Sequence, residues 1–283
     1  MKKYLVAICL IFNSLIIYCQ TIHGIIHDFG TKEALPYVSI GIRNKAIGTI
    51  SNQEGRFQLN LAQASNKDTL IISYIGYYSI LISVVELNDK QDYSFELKPN
   101  QQLLKEVVIS AKLNSIILGN KGKSSQFTGW GDFTSSRGRA VGLLINHPAR
   151  PAKINKVFFH VNCQFDSARI RVNLFKLIEN KIEPFESQKQ NIFLTIKKTN
   201  GWIEVPINET IELRKDDIIV AIEWVDAWAK FRTMKEGGSY IFSLSLTNSP
   251  GYFYLRQTPE EKVQLFQAKF TPSIYLDCIP IKD

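Results

Sequence analysis

Histidine and cysteine are both scarce, four of each in 283 residues, and their placement excludes more than their number. His23, His27, His147 and His160 fall in neither an H-x-x-E nor an H-E-x-x-H pattern. The close-spaced ligand pair that a zinc peptidase places on one element is therefore missing. His23 and His27 stand four apart with no third ligand evident, and read as a surface pair. There is no G-x-S-x-G elbow for serine hydrolysis. Gly119-Asn120-Lys121-Gly122 lacks the G-x-x-x-x-G-K-[ST] spacing of a phosphate loop, and no helical pattern follows it. Asp216-Asp217 and Glu260-Glu261 are carboxylate pairs on consecutive residues, which on a strand point to opposite faces, so they read as turn and solvent residues. Asp132 and Asp166 lack the concentration of oxygen ligands that calcium requires. No metal and no cofactor is expected.

Long apolar runs are missing after the first twenty residues, so no later stretch is expected to cross a bilayer as a helix. The run from Tyr4 to Tyr18, broken by Asn13 and Ser14, follows Lys2 and Lys3 and ends in Cys19-Gln20-Thr21. A basic start, a short apolar middle and a polar exit are the plan of a secretory signal peptide over residues 1–20. An alternative makes Cys19 a lipidated first residue, although Tyr18 sits where such signals prefer a small one. Removal of this segment leaves two cysteines, Cys163 and Cys278. In an oxidising envelope they are a candidate disulfide, the alternative being two free thiols in a core. The formal charge of +8 is concentrated between residues 111 and 150, where Lys112, Lys121, Lys123, Arg137, Arg139 and Arg150 face Asp132 alone. That stretch reads as a solvated linker, with contact to an anionic membrane surface as the sharper reading; it is too sparse for nucleic acid.

What the chain has is strand pattern. Gly48-Thr49-Ile50-Ser51 leads into the turn cluster Asn52-Gln53-Glu54-Gly55, after which Phe57, Leu59 and Leu61 alternate with polar residues, as a hairpin with one wet face would. Thr69 to Tyr77 is apolar nearly throughout, as a strand covered on both sides would be, and Gly76 suggests a bulge or corner. Thr21–His27, a strand opened by Pro36, Tyr78–Val85, a turn at 88–90, a strand through Tyr93, Phe95 and Leu97, and a closing strand Leu104–Ile109 complete an antiparallel sandwich.

His23-Gly24-Ile25-Ile26, Leu35-Pro36-Tyr37-Val38-Ser39-Ile40, Ile47-Gly48-Thr49 with Glu54-Gly55-Arg56-Phe57, Ser73-Tyr74-Ile75-Gly76-Tyr77 and Leu104-Lys105-Glu106-Val107-Val108 together resemble the carboxypeptidase-regulatory-like domain over residues 21–110. The resemblance implies a transthyretin-like, seven-stranded sandwich that accompanies catalytic domains without performing catalysis. It also implies the exported N-terminus of a Gram-negative envelope protein. In nutrient receptors that depend on TonB a plug and a large barrel follow this module, and the residues here are too few for that barrel.

Residues 111–139 read as a basic Gly/Ser-rich linker passing into an edge strand near Ala140–Ile145. Residues 140–283 read as a jelly-roll-like β-sandwich of about nine strands: Ile154–Val161, Arg169–Phe175, Ile192–Ile196, Trp202–Val205, Ile218–Trp224, Tyr240–Leu246, Tyr252–Leu255, Val263–Phe270 and Ile274–Ile279. Turns are expected at Thr199-Asn200-Gly201, Asn248–Gly251 and Thr271-Pro272-Ser273. This half broadly resembles the C-terminal halves of other exported proteins bearing the same first module. The whole is expected to be all-β.

Trp224, Asp226 and Trp228, with Lys230 to Arg232 following, form the constellation with a binding flavour. Flat aromatic faces beside Asp226 and Arg232 are how a sugar platform is built, and Tyr252 and Tyr254 could join it. The competing reading buries Trp224 at the end of a strand and sets Trp228 over the core. The expected function is a non-enzymatic, exported envelope protein, periplasmic, outer-membrane associated or at the cell surface, acting as an adaptor or binding module toward an envelope protein or glycan. The alternatives are carbohydrate binding by the second sandwich, and a hydrolase whose catalytic residues are dispersed in sequence.

Overall fold

A computed structural model describes residues 21–87, 92–100, 115–130, 137–229 and 242–281. The expected signal peptide, the turn at 88–90, the closing strand Leu104–Ile109, Asp132 and Lys230 to Arg232 lie outside the described residues. The chain is all-β. The first sandwich holds β1 (Thr21–Asp28), β2 (Ser39–Ile42), β3 (Gly48–Ile50), β4 (Arg56–Asn60), β5 (Thr69–Ser73), β6 (Ile80–Ser83) and β7 (Asp92–Leu97), with a 3-10 helix at Val84–Leu87. They form two sheets, β4-β1-β7 and β3-β2-β5-β6. Ile22, Ile26, Val38, Ile40, Ile42, Phe57, Leu59, Leu70, Ile72 and Leu97 fill the space between them.

Two expectations change here. β3 and β4 are not a hairpin, because β3 pairs with β2 and β4 with β1. The turn at Asn52–Gly55, with Gly55 at φ 71°, carries the chain from one sheet to the other, and Asn52 Oδ1 accepts from the Glu54 and Arg56 amides to hold it. Turn chemistry marks a reversal without saying which strand receives the chain. The sandwich is also not purely antiparallel, since β1 and β7 run parallel.

The second sandwich holds β8 (Ile116–Gly119), β9 (Phe127–Trp130), β10 (Ala140–Ile145), β11 (Ala152–Ile178), β12 (Lys181–Pro184), β13 (Ile192–Pro206), β14 (Glu212–Leu213), β15 (Asp217–Trp228), β16 (Phe242–Thr247), β17 (Gly251–Arg256), β18 (Gln264–Ala268), β19 (Thr271–Pro272) and β20 (Ile274–Pro280). Their hydrogen bonds run in the order β18-β17-β10-β15-β11-β16-β19, with β12, β13, β14 and β20 also on β11. The spine is β11, a single strand where two were expected. No Gly or Pro interrupts Asn162 to Ala168, and the register shift between Cys163 and Ser167 bends the strand without ending it. β13 is likewise continuous: Asn200 and Gly201 lie in the ladder opposite Asn162 and Val161 instead of turning. β10, expected at an edge, is flanked by β15 and β17.

The second sandwich also begins earlier than residue 140. β8 pairs with β20, and β9 with β16, while Ile116 and Leu118 pack against the second core. A two-residue alternation within a Gly-, Ser- and Lys-rich stretch is easily read as linker.

Both cysteines are free and buried. Cys278 lies opposite Ile154 on β11, and Cys163 stands nine residues farther along that strand. At the ~3.3 Å rise of a strand residue the separation is about 30 Å, against the ~7 Å limit for a disulfide. Burial pushes the Cys163 thiol up, and burial with Asp277 pushes Cys278 up to about 12. The native protein is therefore expected to react slowly with a thiol reagent at neutral pH and to show both thiols once denatured. A reductant-dependent change in electrophoretic mobility would contradict this.

Candidate functional site

The site arises from the two-sided burial of the second sandwich. Ile218, Val220, Ile222 and Trp224 of β15 point into its core. The intervening Ile219 and Ala221 pack with Ala140 and Tyr254 on the outer face, and Val225 joins Tyr37 and Ile50 of the first sandwich. Ile219 and Ala221 are covered by Phe175, Ile182, Val263 and Leu265 of the second sandwich itself, while Val225 meets the first sandwich. Phe193 stacks at a tilt on Tyr37 with ring centroids 5.3 Å apart, and the Arg169 guanidinium lies 5.3 Å and 5.2 Å from those two rings. On the facing sheet, a side chain on Gly41 would run into the Pro259 carbonyl of the second sandwich. Only glycine lets the two backbones approach so closely.

One row of side chains crosses this covered face. Arg171 is opposite Glu223, Glu223 opposite Ala140, and Ala140 opposite Arg256. Directly opposed residues project to the same side, and Ala140 is short enough for Arg256 to reach past it to Glu223 at 3.0 Å. Arg171 has all five donors engaged. Its Nε and one terminal nitrogen donate to Glu223 at 3.0 and 2.6 Å, and it also donates to Ser39 Oγ, the Tyr37 carbonyl and Asn191 Oδ1. Glu223, 0% exposed, accepts in addition from Asn173 at 2.7 Å. Burial works to raise the Glu223 pKa, but Arg171 and Arg256 outweigh it and hold the carboxyl below its ordinary 4.5. Donors on both oxygens favour the ionised carboxylate.

This row forms the floor of a cleft of about 780 Å³ between the sandwiches. The first sandwich contributes Ser39, Ser73, Tyr74, Tyr77, Ser79 and Asn100; the second adds Asn173, Phe175, Phe185, Glu186, Gln188, Lys189 and Glu260. Glu260, at φ 65°, reaches back to accept from Ser73 Oγ at 2.5 Å. Its neighbour Glu261 turns the other way to accept from the Gln257 and Thr258 amides. The pair diverges as consecutive residues should, but Glu260 bridges the two sandwiches rather than facing solvent. Tyr77 donates to Asp28, and burial together with that carboxylate pushes the phenol up to about 12. Burial raises Tyr74 as well, so both rings present neutral hydroxyls.

The sequence-derived constellation is not brought together. Trp224 is 1% exposed, wedged between Phe165 and Phe242. Trp228 is 39% exposed. A bulge at Val225 shifts the register, with Ile170 opposite Trp224 and Arg169 opposite Asp226, so Trp224 and Trp228 leave on opposite faces. Asp226 is bound by Arg137 at 2.6 Å. Tyr254 is buried among Ile219, Ala221 and Phe175 of its own sandwich, while Tyr252 is exposed and its hydroxyl accepts from Gln267. The basic stretch is dispersed too: Arg137 serves Asp226, and Lys121 lies over the Tyr275 ring at 5.3 Å. Among the described residues no group of three or more His, Cys, Asp or Glu is placed to hold a metal.

Sequence reading passed over Arg171, Glu223 and Arg256. The available signal was Glu223 itself, an acid inside an otherwise apolar strand, which must be buried and therefore paired. Residues 22–109 match the family model of the CarboxypepD_reg-like domain. No curated protein and no solved structure matches the chain significantly.

Proposed function

We propose that this chain, whose residues 22–109 form a carboxypeptidase-regulatory-like domain, is a non-enzymatic binding protein exported to the cell envelope, holding its ligand in the cleft between its two sandwiches. The observation that carries the reading is the state of the cleft floor. Glu223 is held between Arg171 and Arg256 and accepts from Asn173 as well, while the walls come from both sandwiches and enclose a volume within the ~300–1,000 Å³ of small-molecule sites. A floor of this kind shapes and orients. The basic, apolar, polar succession of residues 1–20 supports export, and the regulatory-like first module supports a role in recognition.

The test uses the full-length chain carrying a photo-crosslinking amino acid at Ser79, at the cleft mouth, or at Trp228. The expected result is recovery of the chain in the envelope fraction, with an envelope component joined through position 79. Recovery in the cytoplasm, or adducts through position 228 alone, would overturn the reading.

A further inference from the structure

We infer that the cleft takes a neutral oligosaccharide. This rests on the cleft being the binding site and goes further by assigning the chemistry of the ligand.

The ionic lining is balanced, with Arg171, Arg256 and Lys189 against Glu186, Glu223 and Glu260. Glu223 holds both guanidiniums, at 2.6 and 3.0 Å. A charged ligand would find no net field of opposite sign across this lining and would have to shed its water on entering. The walls carry flat apolar rings on both sides. Tyr74 and Tyr77, 5.5 Å apart, stand on the first sandwich and Phe175 on the second, while Phe185 is buried in the core behind that wall. Such rings receive the C–H faces of a pyranose. Between them lie neutral groups that both donate and accept: the amides of Asn100, Asn173 and Gln188 and the hydroxyl of Ser79. Asn173 gives its amide nitrogen to Glu223, which leaves its carbonyl oxygen as an acceptor. Sugar hydroxyls need this mixture.

A peptide is disfavoured by the sheets themselves. An extended peptide gains most of its affinity by pairing with a free edge. β2, β5, β11, β15 and β17, which carry cleft residues or flank them, each have a strand on both sides. Among the described strands that line it, β12, which contributes Pro184, has β11 as its one partner, and its four residues end in a proline without an N–H, a short ladder for a peptide.

The test is calorimetric titration of the full-length chain with maltoheptaose, cellohexaose, xylohexaose and chitohexaose, and with an oligogalacturonate as the anionic comparison. At least one neutral oligosaccharide is expected to bind, with its Kd changing by less than about twofold on raising the salt. Ser79→Trp, an exposed position whose substitution fills the cleft mouth without entering a core, is expected to weaken that binding roughly tenfold or more. Trp228→Ala should leave it unchanged. A native circular dichroism spectrum and unfolding curve of Ser79→Trp exclude misfolding as the cause. No binding by any neutral oligosaccharide, tighter binding of the oligogalacturonate, or binding that survives Ser79→Trp would each overturn the inference. If the sugars fail while a crosslink through position 79 captures an envelope protein, the glycan assignment falls and the binding reading stands. If both fail, both fall.

Discussion

Glu223→Ala lowers the unfolding free energy by about 3–5 kcal/mol, because it strands two guanidiniums and the Asn173 amide that all donate to this one carboxylate. In a chain of this size the melting temperature should fall by on the order of 10 °C. The same residue makes a pH signature. Its folded pKa is held below the ordinary 4.5, so its contribution is fully present above that value and is lost as the pH falls through the depressed native value. Wild-type and Glu223→Ala melting temperatures should therefore converge as the pH drops below about 4.5 and stay widely separated at pH 7. Differential scanning calorimetry across that range decides it. A constant gap at all acidic pH values would mean that the charge of Glu223 is not what matters. Arg171→Met alone should also destabilise, whereas replacing the whole row with well-packed apolar residues should cost far less, since the penalty lies in leaving a buried charge without its partner.

The second large effect belongs to Trp224→Ala, expected at about 3–5 kcal/mol in denaturant unfolding, because a fully enclosed indole leaves a cavity between Phe165 and Phe242. Trp228→Ala, four residues on, should fall within about 0.5 kcal/mol of the wild type. Equal effects at the two positions would contradict the register shift at Val225. The comparison separates two tryptophans that the sequence presents as one motif.

That pair shows where sequence reading stops. Strand alternation survives in the residues because it reflects which face is wet. Phe57 and Leu59 are legible as an inward row, and Ile218 to Trp224 is legible as a strand. A bulge leaves no residue of its own, so the reversal of faces after Trp224 had no sign in Val225 or Asp226. The spine β11 was read as two strands because its polar middle, Asn162 to Ser167, resembles a loop; only its partners show that it remains extended. The cleft floor was legible in part. Glu223 stands out as a charge in an apolar run, but Arg171 lies 52 residues before it and reaches it only through the pairing of β11 with β15. The residue that lets Arg256 join, Ala140, carries no polar chemistry at all.

β11 also dictates an order of events during folding. Its ladder partners β12, β13, β14, β15, β16 and β20 all follow it in the chain, so when Ala152–Ile178 has been synthesised nothing yet made can pair with it. Its first long ladder forms with Ile192–Pro206, opposite Val157 to Val161 and Ile170 to Val172, and the other side of Val157 and Phe159 waits until Ile274–Pro280 emerges. Pairings so distant in sequence close slowly, and an open strand of this length is a template for another copy in the meantime. The second sandwich therefore completes only once Ile274–Pro280 has been made, while β1 to β7 find their partners within the first hundred residues. The first sandwich can form before the second exists, and the surface carried by Tyr37, Gly41 and Ser73 is then already in place to receive it.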